Sequence, residues 1–180
     1  GFGSIVALKA EETPEEETPV EGTDVLIEGI RYKFEDNSTV KVIALDGEHY
    51  KGSITIPNTV VYKGKTYSIT CIGDSAFSDC SRLTSVTIGN NVTNIGKKAF
   101  FNCSGLASID IPNGVTSIGY SAFEGCANLT NITLPTSMKS IGDSAFKYCS
   151  SLKSITIPNG VTEIGEFTFE NCISLTSIIL

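Results

Sequence analysis

The chain has 180 residues, 41% of them apolar, and carries 20 acidic against 13 basic side chains for a net charge of −7. That length suits a single domain with a cap and a tail. No apolar run is long enough for a membrane-spanning helix, and no basic cluster supplies the footprint of a nucleic-acid binder.

Residues 1–24 hold much of the acidity, with one lysine against seven carboxylates. Ile5-Val6-Ala7-Leu8, followed by Lys9-Ala10, reads either as the remainder of a signal-peptide apolar region or as a plain tail. From Glu11 to Asp24 the chain is an acidic, proline-bearing linker that cannot bury enough apolar surface to fold alone. Residues 25–68 read as an N-terminal β cap. Ile30, Tyr32 and Phe34 alternate with Arg31 and Lys33, Glu35-Asp36-Asn37-Ser38 supplies a turn, and Val40, Val42 and Ala44 alternate after it, which is a β-hairpin pattern. Ser53-Ile54-Thr55-Ile56 reads as a further strand ended by Pro57. Residues 60–67 read as a second hairpin turning at Lys63-Gly64-Lys65.

Residues 69–180 consist of five copies of a 23-residue unit. Phe recurs at 77, 100, 123, 146 and 169; Ile-Gly at 72–73, 95–96, 118–119, 141–142 and 164–165; Cys at 80, 103, 126, 149 and 172; Leu at 83, 106, 129, 152 and 175. A fixed period in the twenties marks a solenoid. Val86 and Ile88 alternate with Ser85 and Thr87, which is strand spacing with one face buried. Ala76, Phe77, Cys80 and Leu83 fall on one face of a short helical turn. The expectation is one parallel strand per coil, a second extended piece at Val92–Ile95, and short helical turns on the other side. No coil can bury its Phe, Leu and Ile alone, so successive coils must stack, about 4.8 Å apart.

The glycine column needs either a left-handed backbone or a place with no room for Cβ. Pro112-Asn113-Gly114 and Pro158-Asn159-Gly160 suit turns that end strands. The cysteine column reads as buried thiols acting as small hydrophobes, with pairing between neighbouring coils left open. Cys71 lies outside the column and reads as more exposed. A metal site needs ligands converging on one point, which a column does not supply. Leu180 follows a strand without a matching cap. That predicts a cut inside a longer array, a short natural end, or an edge covered by another chain in an end-to-end dimer.

These units resemble the BspA-like, or Treponema pallidum-type, leucine-rich repeats, with the pattern Cys-x-x-Leu-x-x-Ile-x-Ile-Pro-x-x-Val-x-x-Ile-Gly-x-x-Ala-Phe. Gly89 stands where Pro is expected, and Thr168 where Ala is. The resemblance implies a leucine-rich-repeat solenoid forming a right-handed arc. It also implies an extracellular or cell-surface bacterial protein engaged in adhesion or host-factor binding.

No catalytic set is evident. His49 is the single histidine and lies in the cap beside Glu48 and Tyr50, whereas a base needs partners placed by the fold. The repeat carboxylates fall in variable, solvent-facing columns, and no cofactor motif occurs. Binding is the remaining class, toward a protein and alternatively a glycan. Two rows of outward strand residues offer a small, polar surface: Ser85, Ser108, Asn131, Ser154 and Ser177, then Thr87, Asp110, Thr133 and Thr156, with Lys153 flanking. Phe101, Tyr120, Tyr148 and Phe167 sit in columns otherwise filled by small or charged residues, on or near the turn side. They are candidate contact residues. The competing reading is a passive spacer that holds other domains off a cell surface.

Overall fold

The computed structural model describes residues 19–180. The Ile5–Ala10 run and the linker up to Thr18 lie outside the described residues.

β1 (Asp24–Ile27) and β2 (Ile30–Phe34) form an antiparallel hairpin. It turns at Glu28 and Gly29, with φ of 50° and 83°, the primed geometry that matches strand twist. β3 (Thr39–Ile43) returns antiparallel to β2, across a turn in which the Asp36 carboxylate accepts the N–H groups of Ser38 and Thr39. After β4 (Gly52–Ile56), β5 (Thr59–Tyr62) and β6 (Lys65–Ile72) make the second hairpin, closed at Lys63-Gly64. The remaining strands are β7 (Leu83–Ile88), β8 (Asn94–Ile95), β9 (Ser108–Asp110), β10 (Ser117–Ile118), β11 (Asn131–Thr133), β12 (Ser140–Ile141), β13 (Ser154–Thr156), β14 (Glu163–Ile164) and β15 (Ser177–Ile179).

They stack in two parallel rows. The first row runs β4-β7-β9-β11, with β13 and β15 paired beyond it. The second continues from the N-terminal hairpins as β1-β2-β3-β6-β8-β10-β12-β14, with β5 on the flank of β6. Each coil therefore contributes two strands, where one was expected. The extended piece before each glycine is short, but Ser117 and Ile118 find Asn94 and Ile95 on one side and Ser140 and Ile141 on the other.

The expected helical turns do not form; no helix occurs among the described residues. The N–H groups of Ala76, Ser78, Cys80 and Leu83 close turns onto Gly73, Ser75, Phe77 and Cys80. Those of Ser75, Phe77 and Asp79 reach instead to the carbonyls of Lys97, Ala99 and Phe101 in the next coil, at 2.7–2.8 Å. A helix beyond its first turn would bond each N–H to the carbonyl four residues back in its own segment. Two columns of left-handed residues redirect the alternate ones: Ser75, Lys98, Ser121, Ser144 and Phe167, then Asp79, Asn102, Gly125, Tyr148 and Asn171. The turn side is thus a third ladder between coils.

The core runs the length of the array. Phe77, Phe100, Phe123, Phe146 and Phe169 stack with ring centroids 5.0, 5.2, 5.6 and 5.8 Å apart and planes within 6° of parallel. Beside them the thiols of Cys103, Cys126, Cys149 and Cys172 donate to the carbonyls of Phe77, Phe100, Phe123 and Phe146 at 3.0–3.1 Å. All six cysteines are free, and Cys71 is half-buried where the others are buried. Burial pushes the Cys80 thiol up to about 11 and raises those of Cys103, Cys126 and Cys149 further, so the column stays protonated and donates. The glycine column is explained by lack of room. None of its members has a positive φ, but a Cβ on Gly119 would lie 2.7 Å from the carbonyl carbon of Gly96, and one on Gly142 2.8 Å from that of Gly119.

Candidate functional site

Two surfaces carry the residues singled out in the sequence. The first is the outward face of the first strand row. Register places Ser85 beside Ser108 and Ser108 beside Asn131, with Asp110 beside Thr133 and Ser154 beside Ser177. The structure therefore sets Ser85, Ser108 and Asn131 on one four-stranded sheet and Ser154 and Ser177 on the two-stranded sheet beyond it, and Thr87, Asp110, Thr133, Thr156 and, just before its strand, Lys153 are exposed. Ser85 is half-buried, and its hydroxyl meets that of Ser53 at 2.8 Å. The outward strand residues of this face include no aromatic among those described, so it offers hydrogen bonds without an anchor.

The second surface is the turn ridge, where each coil presents the residues around its two left-handed positions. Tyr120 and Tyr148 are 47% and 48% exposed although they belong to interior coils. Phe101 is half-buried, with the Lys98 ammonium 5.0 Å from its ring centroid. The Lys147 ammonium lies 5.3 Å from the Tyr148 ring and 5.9 Å from that of Phe167, and 3.9 Å from the Glu170 carboxylate. Tyr148 and Phe167 have φ of 60° and 58°, a conformation that a bulky side chain adopts only at a cost. The other members of their two columns are Asp, Asn and Gly, and Ser and Lys. The sequence shows the odd aromatics, but it does not show that two of them stand on left-handed backbone, because no glycine column marks these positions.

Two clefts have no signal in the sequence. One, of about 440 Å³, lies in the cap between Ile27, Ile30, Pro57, Val60 and Val61. Another, of about 380 Å³, crosses three coils beside Tyr120 on a floor of Gly119, Gly142 and Gly165. A smaller site of about 260 Å³ includes exposed His49, beside Glu48, Lys51, Asp79 and Arg82. Among the described residues no group of three or more His, Cys, Asp or Glu could hold a metal ion, and no helix is long and apolar enough to cross a membrane.

Residues 70–180 match the BspA type leucine rich repeat region in six copies. Among solved structures, the chain is similar to a leucine-rich repeat protein from Bacteroides ovatus, with 42% identity over 88% of this chain and 41% of that one, and a TM-score of 0.82. It is similar to a leucine rich cell surface protein from Faecalibacterium prausnitzii, with 34% identity over 88% and 42% of the two chains and a TM-score of 0.78. The T. pallidum leucine-rich repeat protein shares 28% identity over 87% and 67% of the two chains, with a TM-score of 0.73. The chain spans about two fifths of the length of the first two. A comparison with curated protein sequences finds no match. With the match over most of its length and stacked coils of the same architecture, the chain belongs to the BspA-type leucine-rich repeat family, a repeat fold of the protein-interaction and scaffold kind.

Proposed function

We propose that the chain is the protein-binding module of an extracellular or cell-surface bacterial protein, acting in adhesion or host-factor recognition through the exposed surface of its coils. In this reading residues 25–68 serve as the cap and 69–180 as the array. The observation that carries it is Tyr148. A half-exposed aromatic on left-handed backbone gains from the Lys147 ammonium no more than it loses to its conformation, where Asp, Asn or Gly would sit without strain, and rules of local structure are broken most often where a protein works. Tyr120 and Phe101 extend the same ridge, and the strand row from Ser85 to Thr156 adds polar contacts of its own. The similarity to a protein described as a leucine rich cell surface protein supports the setting. The test is a binding screen of the intact chain against extracellular matrix proteins and glycans, repeated with Tyr120→Thr and Tyr148→Asn. A partner that binds at micromolar concentration and is weakened by both changes supports the reading. No binder at that level sinks it, and a glycan in place of a protein redirects it.

The second reading, a rigid spacer, is favoured by the unbroken aromatic stack from Tyr50 to Phe169. It predicts that inserting one further 23-residue coil lengthens the particle in scattering measurements and leaves partner affinity unchanged. The chain also suits end-to-end pairing with a second copy, because Ile173, Ile178, Ile179 and Leu180 are exposed on its last coil. Sedimentation that shows a monomer at every concentration would exclude such pairing.

A further inference from the structure

The groove beside Tyr120 has a definite construction. Its floor is bare backbone at the glycine column, where the close approach of successive coils leaves no place for a side chain. On the strand side it is edged by Ser117, Ser140 and Glu163, and on the turn side by Tyr120 and Asp143. Ile118, Ile141 and the exposed Ile164 line it as well; a groove that crosses three coils admits an extended segment, and Tyr120, 47% exposed, stands beside it.

The electrostatics select the kind of segment. Asp143, Glu163 and Glu166 lie in or beside the groove, and among the described residues none of them forms an ion pair. Lys97 stands one coil before Tyr120 in its column, and two further lysines are directed away. Lys147 pairs with Glu170, and the Lys139 ammonium lies 3.1 Å from where a Cβ on Gly160 would stand, over the Pro158–Gly160 turn. In earlier coils the column of Glu163 holds Cys71, Asn94, Ser117 and Ser140, and that of Asp143 holds Asp74, Lys97 and Tyr120, so only here do two acidic columns carry acid in adjoining coils. Uncompensated acid and an exposed aromatic face therefore coincide here. An arginine or lysine side chain uses both, stacking on the ring within about 6 Å while its charge meets a carboxylate.

We propose that this groove receives an extended basic segment of a partner protein, with one Arg or Lys lying on the Tyr120 ring and paired to Asp143 and Glu163. The proposal rests on the protein-binding reading above and adds to it the place of contact and the charge of the partner.

The test titrates the intact chain with three labelled peptides of equal length, in which arginine, glutamate or serine alternates with glycine, followed by fluorescence anisotropy. The arginine peptide binds and the other two do not. The double variant Asp143→Asn/Glu163→Gln weakens it about tenfold or more, Tyr120→Thr about threefold, and raising the salt from about 0.05 to 0.5 M weakens it further. Asparagine at 143 keeps the Oδ1 that accepts the Glu166 N–H at 2.8 Å, so the coil persists, as a melting curve checks. Glu15→Gln/Glu16→Gln/Glu17→Gln in the acidic tail leaves the affinity unchanged. Equal binding of the three peptides, no binding of the arginine peptide, an unaffected double variant, or loss in the tail variant each overturns the proposal. A natural protein partner that is indifferent to the groove variants yet lost in Tyr148→Asn overturns it too, while leaving the binding-module reading in place.

Discussion

The first and last rings of the phenylalanine stack that the structure describes have different neighbours. At the cap, Tyr50 takes the next place in the stack, 4.6 Å from Phe77 and tilted by 42°. Its hydroxyl donates to the Ile43 carbonyl at 2.7 Å and accepts the Arg31 N–H at 3.0 Å. In the last coil described, Phe169 lies 5.8 Å from Phe146, has no further ring beyond it among the described residues, and is only partly buried. Between them Phe100, Phe123 and Phe146 are completely buried. One residue type at one position of the repeat thus has unequal environments, and what differs is the neighbour. In an array of this kind a coil draws much of its stability from the interface with the next, so identical substitutions should have unequal effects along the chain.

The largest expected effect tests this directly. Phe123→Ala opens a cavity between two stacked rings and should lower stability by about 3–5 kcal/mol. Phe169→Ala removes a ring packed on one side and should lower it by about 1–2 kcal/mol. Urea denaturation of the two variants reads the difference, and equal losses would mean that position in the array does not matter. Gly119→Ala comes next. The new methyl would meet the Gly96 backbone at 2.7 Å, and neither backbone has a flexible end that can yield, so the coils must separate at a cost of about 2–3 kcal/mol. Alanine tolerated there without loss of melting temperature would show that the column is not set by close approach.

The phenylalanine and glycine columns are legible in the sequence, because a residue repeated in every copy shows burial and tight approach through spacing alone. The strand rows are legible for the same reason, since Val86 and Ile88 alternate with Ser85 and Thr87. On the turn side the same spacing misleads. Ala76, Phe77, Cys80 and Leu83 have helical spacing, but Ser75 and Asp79 are left-handed, and neither is a glycine that would have signalled it. The place of Tyr50 in the stack is hidden because the cap breaks the 23-residue spacing, so nothing aligns it with Phe77. Of the candidate surface, the aromatics stand out as departures from their columns. The groove does not, because its floor is an absence of side chains and its carboxylates are ordinary members of variable columns.

At the cap end, Tyr50→Phe keeps the ring and removes two hydrogen bonds, leaving the Arg31 N–H short of a partner, for an expected loss of about 1–2 kcal/mol. The loss depends on pH. Burial pushes the Tyr50 hydroxyl from 10.0 up to about 12. A folded value above the unfolded one means that the contribution is complete below pH 10 and is lost as the pH rises through about 12. The margin of the parent chain over Tyr50→Phe should therefore narrow across that window in denaturation measured at successive pH values. A constant margin would assign the effect to packing.

The smallest expected change has the opposite sign and lies on the ridge. Tyr148 occupies a column in which Asp79, Asn102, Gly125 and Asn171 have the same left-handed backbone. Asparagine tolerates that conformation better than a bulky aromatic, so Tyr148→Asn relieves strain. It also forfeits the contact of the ring with the Lys147 ammonium at 5.3 Å, which at an exposed site contributes about 0.5–1 kcal/mol. The two effects nearly cancel, and melting should show a change between zero and about 1 kcal/mol in favour of the variant. Substitution inside the stack weakens the fold, whereas substitution here spares or strengthens it while weakening partner binding. A loss of more than about 1 kcal/mol in Tyr148→Asn would place the ring among the groups that hold the coils together, and its exposure would then carry no information about a partner.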